Sequence, residues 1–320
     1  PDPTGYGRIV RDEKGWVTAI TEEKDASPKE KGITEINSGA FCYNWGKVSP
    51  LLAALTPNNT QGEYYLTDLI SLLARQGEKT GAFVARDHNE VAGINDRVQL
   101  AWAEGIMRFR INQTLMRSGV SMQDPGAVWI DVGVEIGPDT VIMPNTHIYG
   151  DTKIGPKCTI GPDAMITCCQ LGGGVSFHHS VAEESRIGQG TRIGPFAYIR
   201  PGSEIGCGVK VGDFVEIKNS QIGDGSKVPH LAYVGDAKVG QNTNIGCGVI
   251  TANYDGKKKS LTEIGNDVFI GSNCNLVAPV KVGDGAYVAA GSTITDEVPA
   301  RALAIARSRQ TVKVDWRKKD

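Results

Sequence analysis

Arg200 directly follows Ile199 and Lys218 directly follows Ile217, and each stands in a slot that elsewhere in this half of the chain holds glycine. If the eighteen residues separating them make one structural repeat, the two cations stack. They then repel unless an anion lies between them. The pair therefore reads as a phosphate or carboxylate site, set against the plainer reading of two solvated side chains with room to splay. His230 stands in Val228-Pro229-His230-Leu231-Ala232-Tyr233-Val234. The six-residue repeat of this half of the chain makes Ser226, Val228, Ala232 and Val234 the inward positions, and His230 is not one of them. An imidazole with the ordinary pKa of about 6.5 suits a general base at neutral pH; its bland alternative is a solvated surface histidine. His147, His178 and His179 show no clear ligand triad, and the adjacent His178 and His179 point different ways. Metal chemistry of the carbonic anhydrase kind is therefore disfavoured.

Other candidates carry weaker signals. Asn253-Tyr254-Asp255-Gly256-Lys257-Lys258-Lys259 is either a solvated basic loop or a lid whose lysines meet phosphates. Cys247 could be a nucleophile, but Ile205-Gly206-Cys207-Gly208 repeats the pattern of Ile245-Gly246-Cys247-Gly248, which favours a small-residue turn slot. Gly172-Gly173-Gly174 lacks the helix and the Lys-Ser/Thr pair of a phosphate loop. The tail is basic, through Arg301, Arg307, Arg309, Lys313, Arg317, Lys318 and Lys319. It is expected to be disordered or to pack beside an anionic cofactor.

The elements that position these residues follow from a repeat. Ile136, Ile142, Ile148, Ile154, Ile160 and Ile166 recur every six residues. The register breaks around Gly172-Gly173-Gly174 and resumes at Ile187, Ile193, Ile199, Ile205, Val211 and Ile217; a last run is Ile264, Ile270, Leu276, Val282, Val288 and Ile294. Two residues before each aliphatic stands a small or β-branched residue, as in Thr140, Thr146, Thr152, Cys158, Ala164, Ser185, Thr191, Ala197 and Ser203. Positions i and i−2 share a strand face, so each hexad predicts a short strand with two inward residues and a turn that glycine permits. The expected fold is a left-handed parallel β-helix of roughly nine coils, about 40 Å tall at the strand spacing of stacked coils. Such a prism could be structural, so function must come from departures from the repeat. An ice-binding prism would need a flat outer threonine array, whereas most threonines fall at inward positions.

The 320 residues carry 34 Lys+Arg against 36 Asp+Glu, a formal net charge of −2. That balance argues against a dedicated nucleic-acid binder. No apolar run approaches a membrane span, and the seven cysteines form neither a disulfide framework nor a CxxC pattern. The 40 glycines are well above the usual ~7 %, without a collagen period. We expect a cytosolic, reduced protein. The chain starts at Pro1, without Met or a signal peptide, and reads as the middle of a longer polypeptide. Residues 1–130 are aperiodic. Strands are predicted at Arg8–Val10, Trp16–Ile20 and Thr80–Ala85. A helix is predicted over Glu63–Arg75, with Leu66, Leu69, Ile70, Leu72 and Leu73 inward and Gly77 as its stop. A long helix is predicted from Asp96 to about Arg117, with Val98, Trp102, Ile106, Phe109 and Leu115 along one side. The pattern suggests an α/β domain with too few strands to be complete.

Several stretches together resemble the bacterial bifunctional N-acetylglucosamine-1-phosphate uridyltransferase/glucosamine-1-phosphate acetyltransferase family. They include Asp2-Pro3-Thr4-Gly5-Tyr6-Gly7-Arg8-Ile9, Gln61-Gly62-Glu63-Tyr64-Tyr65-Leu66-Thr67-Asp68, Phe214-Val215-Glu216-Ile217-Lys218, His230-Leu231-Ala232-Tyr233-Val234-Gly235-Asp236 and Ile250-Thr251-Ala252-Asn253-Tyr254-Asp255-Gly256. The resemblance runs in order along essentially the whole chain. It implies residues 1–95 as the carboxyl-terminal part of an α/β nucleotidyltransferase domain, 96–120 as a linker helix and 121–320 as the acetyltransferase β-helix with its tail. It further implies a homotrimer with acetyl-transfer sites between subunits, acetyl-CoA as co-substrate and glucosamine-1-phosphate as acceptor. His230 matches the catalytic base; Arg200, Lys218, Tyr233, Asn244 and Lys259 match sugar-phosphate contacts; Cys247, Asn253, Tyr254, Ser272, Ala290 and Arg307 match acetyl-CoA positions. Gly7, Glu22, Asn37 and Asn95 match contacts to the nucleotide sugar, UTP or UDP-N-acetylglucosamine, and Asn95 also matches a Mg²⁺ ligand. The family's glycine-rich nucleotide loop and metal-binding Asp precede this stretch, so uridyl transfer is expected of the longer parent only. Serine acetyltransferase-like activity and a non-catalytic solenoid are the rivals.

Overall fold

The computed structural model describes residues 2–317; Lys318 and Lys319 of the basic tail lie outside the described residues. The chain divides into two compact units, Pro1–Glu104 and Gly105–Asp320. Among the described residues no helix is long and apolar enough to cross a membrane.

In the first unit, strands Arg8–Arg11 and Val17–Thr21 pair antiparallel with Ile9 opposite Ile20. Ile9, Val17, Ile20 and Ile70 form one small core, and Val48, Leu51, Leu69 and Leu73 a second. Two expectations need correction. The first helix is Asp68–Arg75 rather than Glu63–Arg75. The carboxamide of Asn59 accepts from the backbone N–H of Gln61 and of Glu63, each at 3.1 Å, and folds the preceding stretch into a turn, leaving Leu66 exposed. Thr80–Ala85 is not a strand. Its carbonyl at Thr80 accepts from Val17 N–H at 2.9 Å, but Phe83 and Val84 are exposed. The long helix is Arg97–Arg117, close to the predicted span, with Val98, Trp102 and Phe109 exposed. From Gly105 on, the helix belongs to the second unit, where Asn112 is its anchor: fully buried, its Nδ2 donates to the carbonyls of Pro125 at 2.9 Å and Val128 at 3.1 Å, with Ile111 and Leu115 packed on the solenoid core.

The second unit is the left-handed β-solenoid. Its strands stack into three parallel sheets of ten, nine and eleven strands. That makes about ten turns rather than nine, because strands begin at Ser121–Met122 and continue to Leu303–Ala304. The inward positions are the predicted ones: Ile148, Ile160, Ile193, Ile199 and Ile217 are fully buried, as are Thr140, Thr146, Thr152 and Thr191. Each buried isoleucine contributes about 1.5–3 kcal/mol. The threonine hydroxyls are satisfied between coils, as in Thr191 Oγ1 donating to Gly206 O at 2.7 Å.

The repeat does not stop at Gly172–Gly174. Strands Gln170–Leu171 and Ser176–Phe177 continue the prism, and Ile166 pairs with Ala182 in a coil two residues shorter than the one that pairs Ile148 with Ile166. Corners absorb the lost residues while inward positions stay aligned. The glycine following each aliphatic also has a different cause from the one expected. Gly188 lies outside the left-handed region, but a Cβ there would stand 2.5–2.6 Å from the backbone of Gly206 and Cys207 on the next coil. Close approach, not turn geometry, demands glycine. The one long insertion falls between Val239 and its partner Ile264. It is a small hairpin, bridged at Tyr254 and Lys259 and closed by Asp255, whose carboxylate accepts from Lys257 N–H and Lys258 N–H at 2.8 Å each.

Candidate active site

His230 ends the strand Lys227–His230, and Leu231 beyond it takes a left-handed conformation (φ 43°) that turns the chain onto the next face. His230 therefore sits at a corner of the prism, outward, with its side chain 55 % exposed. One coil away Asp213 is its register partner, and its Oδ1 lies 2.5 Å from His230 Nδ1. That hydrogen bond holds the Asp213 carboxyl below the usual carboxylate range. Following the register in the other direction, Lys227 pairs with Asn244, Ile245 with Ile270 and Ile270 with Val288. Counting two residues past each inward aliphatic gives His230, Cys247, Ser272 and Ala290 in one column. The corner bonds Gly248 N–H to Leu231 O, Asn273 N–H to Cys247 O and Gly291 N–H to Ser272 O (2.7–2.8 Å) tie successive coils together there. Three coil steps span roughly 14 Å. The Arg307 side chain passes beside Gly291 at the far end of this strip, where its Cδ would lie 3.9 Å from a Cβ.

On the adjoining ten-stranded face, Arg200 and Lys218 stack as expected, with Ile199 beside Ile217 and Arg200 N–H donating to Ile217 O at 2.8 Å. Their charges are not left uncompensated. Arg200 Nη1 donates to Glu216 Oε1 at 2.6 Å, and Lys218 Nζ lies 3.8 Å from Asp236 Oδ2. Mutual repulsion alone therefore does not argue for an anion, a correction to the sequence argument. Asp236 is the hub of a tight cluster. Asn219 Nδ2 donates to its Oδ1 at 2.6 Å and Asn253 Nδ2 to its Oδ2 at 2.5 Å. Burial raises the Asp236 carboxyl, but the bonds from Asn219 and Asn253 and the charges of Lys218 and Lys259 outweigh it and hold the group below the usual range. Lys259 reaches in from the inserted hairpin. The neighbouring Lys218 ammonium, by hydrogen bonding and then by charge, pushes Lys259 below the ordinary lysine range. Tyr233 bends over Gly235: a Cβ there would stand 2.6 Å from Tyr233 Cζ, so glycine is what admits the ring.

Of the predicted residues, Lys218, Tyr233, Asn253 and Lys259 come together around Asp236, with Arg200 one coil below Lys218. Asn244 does not join them; it lies on the eleven-stranded face, beside Lys227 and Phe269. Tyr254 is exposed in the hairpin, its hydroxyl donating to Gly256 O at 2.7 Å. In the first unit Gly7, Glu22 and Asn37 converge. Asn37 N–H donates to Gly7 O at 2.8 Å, and a Cβ at Gly7 would stand 3.3 Å from the Glu22 carboxylate. Asn95 lies next to Gly93, with its N–H donating to Gln99 Oε1. Mg²⁺ favours carboxylate oxygens in octahedral geometry. Asn95 supplies one carboxamide, and among the described residues no group of three or more His, Cys, Asp or Glu could hold a metal. The residues present do not make a Mg²⁺ site.

Sequence reasoning missed Asp213, Glu216, Gly235 and Asp236. Asp213 carried a usable signal, since Val211 pairs with Val228 and the same offset takes Asp213 to His230.

Residues 133–168, 184–219 and 261–296 match the family described as bacterial transferase hexapeptide (six repeats), and residues 1–135 match nucleotidyl transferase. The chain is 56 % identical over 315 residues to the bifunctional protein GlmU of Acetivibrio thermocellus, covering 98 % of this chain and 68 % of that protein. It is 52 % identical over 319 residues to the bifunctional protein GlmU of Brevibacillus brevis, covering 100 % and 69 %. With a nucleotidyltransferase region running into a hexapeptide solenoid, and identity of this level along nearly its whole length, the chain belongs to the bifunctional GlmU family.

Proposed function

We propose that the solenoid transfers the acetyl group of acetyl-CoA to the amine of glucosamine-1-phosphate, giving N-acetylglucosamine-1-phosphate and free CoA. The parent protein also transfers uridylyl from UTP to that product, supplying UDP-N-acetylglucosamine for the cell envelope. The observation that carries the reading is the corner column. It sets a carboxylate-bound imidazole at one end of a strip of small side chains, at the corner from which the chain enters the ten-stranded face that carries the cationic cluster. Arg200 and Lys218 hold the phosphate, and Glu216 and Asp236 keep both cations in place before substrate arrives. Arg200 retains N–H donors beyond the one given to Glu216. Tyr233 and Lys259 complete the acceptor pocket. Cys247, Ser272 and Ala290 line the path of the extended thioester arm, with Asn253, Tyr254 and Arg307 at the remaining CoA contacts. His230 takes a proton as the amine nitrogen attacks the thioester carbonyl, and the C–S bond then breaks to release CoA thiolate. The thioester is already activated, so Cys247 need not form an acyl-enzyme.

Asn244 lies on a different face from Lys218 and Tyr233, which supports a homotrimer in which a neighbouring chain completes each site. We place the enzyme in the cytoplasm, where acetyl-CoA and sugar phosphates are available, with no nucleic-acid or membrane partner. Gly7, Glu22, Asn37 and Asn95 are assigned to the nucleotide-sugar site of the parent, with Mg²⁺ as that reaction's ion.

The test is CoA thiol release from acetyl-CoA. Release that depends on glucosamine-1-phosphate, and not on serine or glucosamine, supports the reading. No release from a folded trimer overturns it in favour of another acceptor or a scaffold. Arg200→Ala is expected to raise the KM for the sugar phosphate about tenfold or more, the scale of one lost charge-assisted hydrogen bond, with kcat little changed. An unaltered dependence on sugar-phosphate concentration counts against the phosphate assignment.

A further inference from the structure

We infer that Asp213 is a positioning residue for His230, fixing the tautomer that leaves Nε2 free to accept the amine proton. The inference rests on the acetyl-transfer reading given above and on the geometry of one corner. Asp213 Oδ1 and His230 Nδ1 are 2.5 Å apart, and the two residues are register partners on adjacent strands. Backbone bonding holds both ends: Leu231 N–H donates to Asp213 O at 2.9 Å, locking the coil that carries His230 to the coil that carries Asp213.

The chemistry follows from what each group can offer. A carboxylate is ionised at neutral pH and is then an acceptor only. The proton in the contact therefore belongs to Nδ1, which donates to Asp213. In a neutral imidazole one nitrogen carries hydrogen and the other a lone pair, so the lone pair is on Nε2. The adjacent negative charge also stabilises the imidazolium that forms when Nε2 takes the amine proton. The other charged groups on the strands packed here are Lys210 on the Asp213 strand, Arg192 on the strand before it and Lys227 on the histidine's own strand, with Cys247 at the corner one coil further along. None of these cations competes for the histidine, since an ammonium or guanidinium donates and does not accept. Glu216, three residues after Asp213, is engaged by Arg200.

The experiment measures kcat, KM for each substrate and the pH dependence of kcat/KM for Asp213→Ala, Asp213→Asn, His230→Ala and the double variant Asp213→Ala/His230→Ala. Circular dichroism and the oligomeric state confirm folding, and the isosteric Asp213→Asn stands in if the alanine variant fails to fold. Asp213→Ala is expected to lower kcat roughly tenfold, a fraction of the 10²–10⁴ that general bases supply, with KM for glucosamine-1-phosphate little changed. Because the Asp213 carboxylate favours the charged form of the ring beside it, the acidic limb of kcat/KM is expected to move to lower pH in both Asp213 variants. In the double variant the Asp213 change should cost nothing beyond the loss of His230. Unchanged kcat and an unmoved acidic limb, alongside an inactive His230→Ala, overturn the inference alone. An equal loss from Asp213→Ala with and without His230 also overturns it, because Asp213 then acts on its own. Near-full activity of His230→Ala overturns the base assignment itself and the inference with it.

Discussion

His230→Ala is expected to lower kcat for acetyl transfer by ~10²-fold or more, the usual contribution of a positioned general base. KM for acetyl-CoA and for the sugar phosphate should change little, because the cationic cluster around Asp236 and the Cys247–Ser272–Ala290 strip do not depend on the imidazole. Folding should be intact: the side chain is outward at a corner and 55 % exposed, so its removal opens no cavity. The geometry around His230 differs from that of a solvated surface histidine. The ring is held at 2.5 Å by Asp213 and stands at one end of the column of small residues. Steady-state kinetics with thiol detection checks the prediction. A rate within a few-fold of the unaltered protein would remove His230 from the mechanism and leave proton transfer to solvent.

Gly212→Ala should be among the most destabilising single changes in the solenoid. A Cβ at Gly212 would fall within the van der Waals radius of the Pro229 carbonyl oxygen and 2.8 Å from its carbonyl carbon. Both belong to the backbone of the next coil, so no side chain can rotate away. Relief requires the two coils to part, which breaks stacking on both sides. A cost of about 3 kcal/mol, at the upper end for overpacking, is expected, read as a lowered midpoint of thermal or denaturant unfolding. Gly208→Ala is the control. Gly208 has φ +63° and open space around its would-be Cβ. Its cost should be about 1 kcal/mol, that of placing an alanine in the left-handed region. Equal midpoints for the two variants would refute close approach as the reason for glycine at these slots. Because Gly212 precedes Asp213, its variant should also lose activity where Gly208→Ala does not.

The repeat was legible because it is a local code. Burial follows the six-residue period, so Ile199 and Ile217 had to point inward, and so did Thr140 and Thr191, while His230 fell outside the inward set. The excursion at Asn253–Lys259 was legible for the same reason, since it breaks the period. The first unit was less so. Nor was the anchor of the long helix legible: within the second unit Asn112 bonds to the Pro125 and Val128 carbonyls, and no hydrophobic pattern encodes a buried amide. Thr80–Ala85 has strand-forming residues, but strand formation needs a partner edge, and it finds a single backbone bond at Thr80.

What the sequence by itself determined was therefore the architecture, the inward set and the residues free to do chemistry. What only the tertiary structure decided was which of those residues meet. Asp213 reaches His230, Glu216 takes Arg200 and Asp236 gathers Lys218, Asn219 and Asn253, while Asn244 is carried to another face. Those pairings depend on how many residues each corner absorbs. Ile148 to Ile166, Val211 to Val228 and Ile166 to Ala182 are successive-coil partners at three different spacings. A shift of one residue at a corner leaves the buried ladder aligned but changes which outward side chains stand side by side. The physical reason is that inward packing constrains every coil to its neighbours, whereas the outward register follows from the sum of the corners before it.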